Sequence, residues 1–147
     1  MNRVEAIALA LSAAAVAQLR PNVLAQKRPE VQAYLALKEL LAEKYPAVNN
    51  DILDVGPASV ERQNLLKTQL KQAGVDADTA VLHQTRQLLQ YLLQHDSKSA
   101  TAVFRTAADL QNAISILTQH LEAQNYEQRN RFRHPHHSAD ESAPAYL

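Results

Sequence analysis

Side chains able to do chemistry crowd one short stretch, "RFRHPHH" at residues 131 to 137, which sets His134, His136 and His137 within four positions. Neutral imidazoles are common ligands of zinc, copper and nickel. A structural zinc site needs four organised ligands, whereas here Pro135 is expected to interrupt any helix and no carboxylate stands at a fixed spacing. The stretch therefore reads as a solvated tail with incidental metal affinity, and no native metal site is expected. Just upstream, Arg129, Arg131 and Arg133 alternate with Asn130 and Phe132. Such a patch could hold an anionic ligand, the phosphates of RNA or of lipid head groups, by salt-sensitive attraction. Cations at a helix C-terminus also complement the dipole with no ligand at all, and that reading is preferred.

Two aspartate pairs, Asp51 with Asp54 in "NNDILD" and Asp76 with Asp78 in "DAD", could serve as paired carboxylates. Each stands where turns and caps are expected, and aspartate is favoured there because its side chain bonds nearby backbone. His83, His95 and His120 are read as lying on separate helices, with no serine or cysteine motif beside them that suggests a nucleophile. No catalytic residue and no cofactor is assigned, and the chain is read as non-enzymatic.

Composition frames these residues. The 147 residues suffice for one domain with a core, and the absence of cysteine excludes disulfides and thiolate sites. Fifteen basic residues balance fifteen acidic ones, so no whole-chain field draws the protein to nucleic acid, which is not an expected partner. Two glycines, no tryptophan and 5% aromatics are poor material for sheets, while the abundant Ala, Leu, Gln, Glu, Lys and Arg favour helices. The expected fold is all-α: a four- to five-helix bundle over residues 1–125, with an apolar N-terminal helix, and a polar, flexible tail over 126–147.

The elements follow from periodicity and punctuation. A first helix over residues 3 to 19 is closed by Arg20-Pro21-Asn22. A second runs from about 29 to 45, with Pro29 suited to its first turn and Lys38 the one polar interruption of its apolar face. "PAVNNDILDVGP" is a break with one helical turn around Asp51 to Val55. A third helix starts at Ser59 as N-cap and ends at Gly74 in a left-handed conformation. A fourth is capped by Asp76 or Asp78 and carries Val81, Leu82, Leu88, Leu89, Leu92 and Leu93 as one wide stripe. After a turn at 96 to 99, Ala100, Val103, Ala107, Leu110, Ile114, Leu117 and Leu121 recur at alternating steps of three and four. That is a seam of three heptads, read first as packing inside the bundle and second as a surface for self-association.

The opening segment, "VEAIALALSAAAVAQL", bears most on function. Ala15-Val16-Ala17 resembles a signal-peptide cleavage pattern, but Glu5 stands where such a peptide wants positive charge. The uncharged run from Ala6 to Leu19 spans about 21 Å as a helix, short of the roughly 30 Å hydrocarbon layer. Extending it to Val4 brings Glu5 into the layer, which calls for a lumen or protein around that carboxylate. A core helix is the remaining reading; being apolar on nearly every face, it should be surrounded.

The order of an Ala/Leu helix at 4 to 19, a charged helix ending near "KELLAEKY", then "PASVERQNLLKTQLKQAGVDAD" and the leucine-rich "RQLLQYLL" resembles the bacterial HeLo-like domains called Bell domains, over residues 3 to 94. That resemblance implies a membrane-targeting, pore-forming cell-death effector without catalytic residues. The chain departs from many such proteins in having no Asn/Gly-rich amyloid-signalling motif, since its two glycines stand at helix boundaries. The resulting expectation is a cytoplasmic, conditionally membrane-associated bacterial effector that self-associates or meets a protein partner. It would commit Val4, Glu5, Ile7, Leu9, Leu11, Val16 and Leu19 to membrane lipid and oligomer contacts, with Glu5 facing a lumen. The alternatives are a soluble adaptor whose first helix stays in the core, and a secreted helical protein lacking residues 1–17.

Overall fold

The computed structural model describes the backbone of residues 1–18, 28–54, 56 and 59–142, with side chains described as far as residue 125. Among the described residues there are six α-helices and no strand, so the fold is an all-helical bundle with more helices than the four or five expected.

Local chemistry explains each start and stop. Helix α1, Arg3–Gln18, opens on a reciprocal capping box: the Glu5 N–H donates to Asn2 Oδ1 at 2.8 Å, and the Asn2 N–H donates to Glu5 Oε1 at 3.3 Å. Glu5 thus has a local structural task at the helix entrance. Helix α2, Pro29–Lys44, has proline in its first turn and Tyr45 as C-cap, followed by Pro46. Residues 51–54 form turns, with the Asp54 N–H donating to Asp51 O at 3.0 Å. Helix α3, Val60–Gln72, is capped by Ser59, whose Oγ accepts from the Arg62 N–H, and Gly74 follows it at φ 72°. A single 3₁₀ turn, Val75–Ala77, leads to α4, Thr79–His95, whose cap is Asp78, accepting from the Ala80 and Val81 N–H groups.

Two expectations about the second half are corrected. Residues 97–99, expected to be part of a turn at 96 to 99, are already helical: they open α5, Ser97–Phe104, capped by Asp96, and the helix expected to run on from Ala100 stops at Phe104. The chain then bends at Arg105 and restarts as α6, Ala107–Ser142, with Thr106 Oγ1 accepting from the Asp109 N–H at 3.1 Å. Helix α6 also continues past residue 125 into the stretch read as a tail, and Pro135 lies within it. One proline deletes a single N–H from the ladder, and here it does not end the element. His83 and His95 share α4, while His120 is on α6, so only His120 stands apart.

Helix α1 packs against all five other helices. Its alanines at 6, 8, 10, 13, 14, 15 and 17 are each at most 2% exposed, and small side chains let neighbouring helices approach closely. Ile7 and Leu11 join Tyr34, Leu37 and Leu41 of α2, Leu66 and Leu70 of α3, Leu88, Leu89 and Leu92 of α4, and Leu110 and Leu117 of α6 in one core. Helices α2 and α4 close one side, and α4 with α6 another.

Candidate functional site

The sheath around α1 is not complete. Along the helix, Glu5, Leu9 and Val16 are half-buried while their neighbours are buried. At roughly 100° per residue these three positions fall within about 40° of one another, so they mark one edge of the helix. Ser12 lies on the same edge but is covered: its Oγ accepts from Gln63 Nε2 of α3 at 2.9 Å. Beside this edge runs an open groove of about 620 Å³, lined by Met1, Glu5 and Leu9, by Val60 of α3, by Val103 and Phe104 of α5, and by Arg105 and Asp109. Val60 is 67% exposed and Met1 45%, so the rim is apolar with charges of both signs at the bend.

Across Met1 and Glu5 lies a second open groove of about 630 Å³, which Lys67, Lys71, Arg3 and Asp76 also line. There the Arg3 Nε donates to Asp76 O at 2.8 Å, with a looser ion pair to Asp76 Oδ2 at 3.8 Å. Both partners are about a third exposed, so this pair orients the helix entrance more than it stabilises it.

A polar node that the sequence reading did not assemble holds the loop after α2. Tyr34 Oη donates to Asp54 Oδ1 at 2.6 Å, and Lys38 Nζ donates to Asp54 Oδ2 at 2.7 Å and lies 2.6 Å from Asp51 Oδ1. The ammonium also stands 5.3 Å from the centre of the Tyr34 ring. Burial, and then the bond to Asp54, raise the pKa of Tyr34. Burial opposes ionisation of both Asp54 and Lys38, yet the bonds of Lys38 to Asp51 and Asp54 hold the lysine above its ordinary value, and those of Lys38 and Tyr34 to Asp54 hold that carboxyl below its own. Each group is driven away from neutrality, the reverse of what a general acid or base requires, so the node is a clasp. Its sequence signals were Lys38, the polar interruption of an apolar face, and the Asp51/Asp54 pair, which was read as turn chemistry and not joined to it. A similar clasp joins α2 to α4, where Tyr45 Oη donates to the capping carboxylate Asp78 Oδ2 at 2.6 Å and Lys44 Nζ lies 3.3 Å away.

The residues singled out from the sequence fall in distinct places. Val4, Ile7 and Leu11 are core, Leu9 and Val16 lie on the open edge, and Leu19 lies outside the described residues. The heptad positions do not form one seam, because the chain turns between them. Val103 is half-buried on α5, Ala107 is exposed, and on α6 Leu110, Leu117 and Leu121 are buried with Ile114 half-buried. The cause is Arg105, at φ 66° and ψ −49°, a break not anticipated from the sequence. The side chains of Arg129, Arg131, Arg133, His134, His136 and His137 lie outside the described residues. Among the described residues no group of three or more His, Asp or Glu could hold a metal ion, and no helix is long and apolar enough to cross a membrane.

No protein-family model, curated protein or solved structure matches the chain.

Proposed function

We propose that the protein is a non-enzymatic helical effector of a bacterial conflict or cell-death system, which keeps its apolar first helix in the core and commits it to a membrane when triggered. The observation that supports this reading is the placement of α1, an apolar helix in contact with every other helix of the bundle. Such an arrangement stores a membrane-active segment safely, and the half-open edge at Glu5, Leu9 and Val16 is where the store would begin to open. As a helix of 16 residues, α1 is about 24 Å long, short of a roughly 30 Å hydrocarbon layer. Delivery therefore calls for several copies and a locally thinned bilayer, with Glu5 facing the lumen they enclose.

The test is dye release from phosphatidylglycerol/phosphatidylethanolamine vesicles. Leu9→Asp with Val16→Asp changes only the half-buried edge, so the bundle should remain helical while release is lost. Full release by the folded double variant would refute the proposal. A soluble adaptor is the second reading, favoured by the absence, among the described residues, of any helix able to cross a membrane. It requires that the unaltered protein leave vesicles intact.

A further inference from the structure

Arg105 is the only non-glycine residue at positive φ among those described. Its φ of 66° and ψ of −49°, with the Thr106 N–H donating to Phe104 O at 2.7 Å, are those of a γ-turn of the strained hand. An arginine, with a Cβ, is poorly suited to that conformation, and only two residues, Arg105 at positive φ and the capping Thr106, separate α5 from α6. The apolar positions ignore the bend. From Ala100 and Val103 through Ala107 to Leu110, Ile114, Leu117 and Leu121, steps of three and four run unbroken across Arg105. The sequence is thus patterned for one helix where the fold has two, and a local pattern that conflicts with the fold at a strained residue points to a conformational role.

We propose that Arg105 is a hinge between the bent monomer and a straightened state in which residues 97–121 form one helix, whose continuous seam pairs with the same seam of a second copy of this chain. Helix α5 packs on α1 and α6 packs on α4, so straightening cannot preserve both contacts. It therefore opens the groove beside Glu5 and Leu9, of which Val103, Phe104 and Arg105 form one wall. The partner is a second copy because a parallel pair in register sets identical apolar rows against each other, and the chain's formal charge of zero imposes no long-range repulsion between copies. The core leucines of α6 are exchanged from intramolecular to intermolecular packing, which makes the two states mutually exclusive. The choice of vesicles as trigger rests on the effector reading.

The absence of cysteine allows clean labelling. Lys98→Cys and Gln119→Cys, both at exposed positions, carry nitroxides in the full chain, and their separation is read by pulsed electron paramagnetic resonance with and without the same vesicles. A straight helix places these sites about 32 Å apart along its axis, and the bend brings them closer. The distance is expected to lengthen to that value on vesicles, and chains labelled at position 119 alone should then show coupling between copies. Arg105→Gly relieves the strain of the bend and should reduce the straightened fraction on the order of tenfold. Arg105→Ala with Thr106→Ala removes the α6 cap, favours continuous helix and should raise that fraction by a similar factor. An unchanged distance on vesicles, or equal fractions in the two variants, would overturn the hinge; lengthening without coupling between copies would overturn the pairing. Dye release without lengthening refutes the hinge and leaves the effector reading standing, whereas lengthening without release supports the hinge and refutes the effector.

Discussion

Ala10 tests whether α1 is wrapped as tightly as its burial implies. It has no exposed surface, and α1 packs against all five other helices. Ala10→Leu adds three carbons to a site with no open face, and forcing extra carbon into a packed interior costs about 1–3 kcal/mol. Ala10→Gly works in the other direction. It removes one methyl, about 0.8 kcal/mol of burial, and adds about 1 kcal/mol of helix propensity loss, for roughly 2 kcal/mol together. Both substitutions should therefore destabilise, although one enlarges the side chain and the other shrinks it. Urea unfolding followed by circular dichroism measures this directly. With a slope of about 1.5 kcal/mol per molar, 2 kcal/mol lowers the midpoint by about 1.3 M. Leu35→Ala, at a position 45% exposed, is the control and should stay within about 0.5 kcal/mol of the parent. A midpoint for Ala10→Leu at or above that of the unaltered protein would refute the reasoning, because it would mean that the sheath has slack at its centre.

Gly74 stands at φ 72° with open space where a Cβ would be, so Gly74→Ala should cost about 1–2 kcal/mol by backbone strain alone, visible in the same urea titration. Glu30 is fully buried on the first turn of α2, and neither of its carboxylate oxygens has a hydrogen-bond partner among the described residues. Glu30→Met exchanges two unpartnered buried oxygens for an apolar side chain of similar length and should raise stability by about 1 kcal/mol, read as a higher thermal midpoint. The two clasps make stability depend on pH at both extremes. In Asp54 and Asp78 burial opposes ionisation but the bonds from Lys38, Tyr34, Tyr45 and the Val81 N–H prevail, so their folded pKa values lie below 3.8. Their contribution is present above that value and is lost as pH falls through the folded one. The bond to Asp78 and then burial push Tyr45 up to about 12, and Tyr34 is raised as well. Those contributions are full below pH 10 and fade as pH rises above it, with Tyr45 spent near 12. Tyr34→Phe should flatten the alkaline fall measured by thermal unfolding from pH 9 to 12, and an unaltered slope would contradict the assigned bond to Asp54.

Much of the fold was legible because helix ends are written in local chemistry. Ser59, Asp78 and Pro29 mark starts, and Gly74 marks an end, through bonds and backbone preferences that span no more than one turn. The stripe of Val81, Leu82, Leu88, Leu89, Leu92 and Leu93 declared a buried face by its spacing, and all are buried except Leu93, which is half-buried at its edge. The bend at Arg105 was marked only by Thr106, three residues before Asp109 as a cap would stand, a signal outweighed by a periodicity that runs straight through; the packing of α5 on α1 and of α6 on α4 decides the turn. The same holds for the clasp of Tyr34, Lys38, Asp51 and Asp54. The sequence showed a lysine out of place on an apolar face, but its two carboxylate partners arrive from a loop more than ten residues away. By itself, then, the sequence determined an all-helical chain and most of its helix limits, because propensity and capping act over a few residues. Tertiary structure alone decided that α1 touches every other helix, which edge of it stays half open, and where a patterned helix must break, because burial depends on neighbours that only the folded chain supplies.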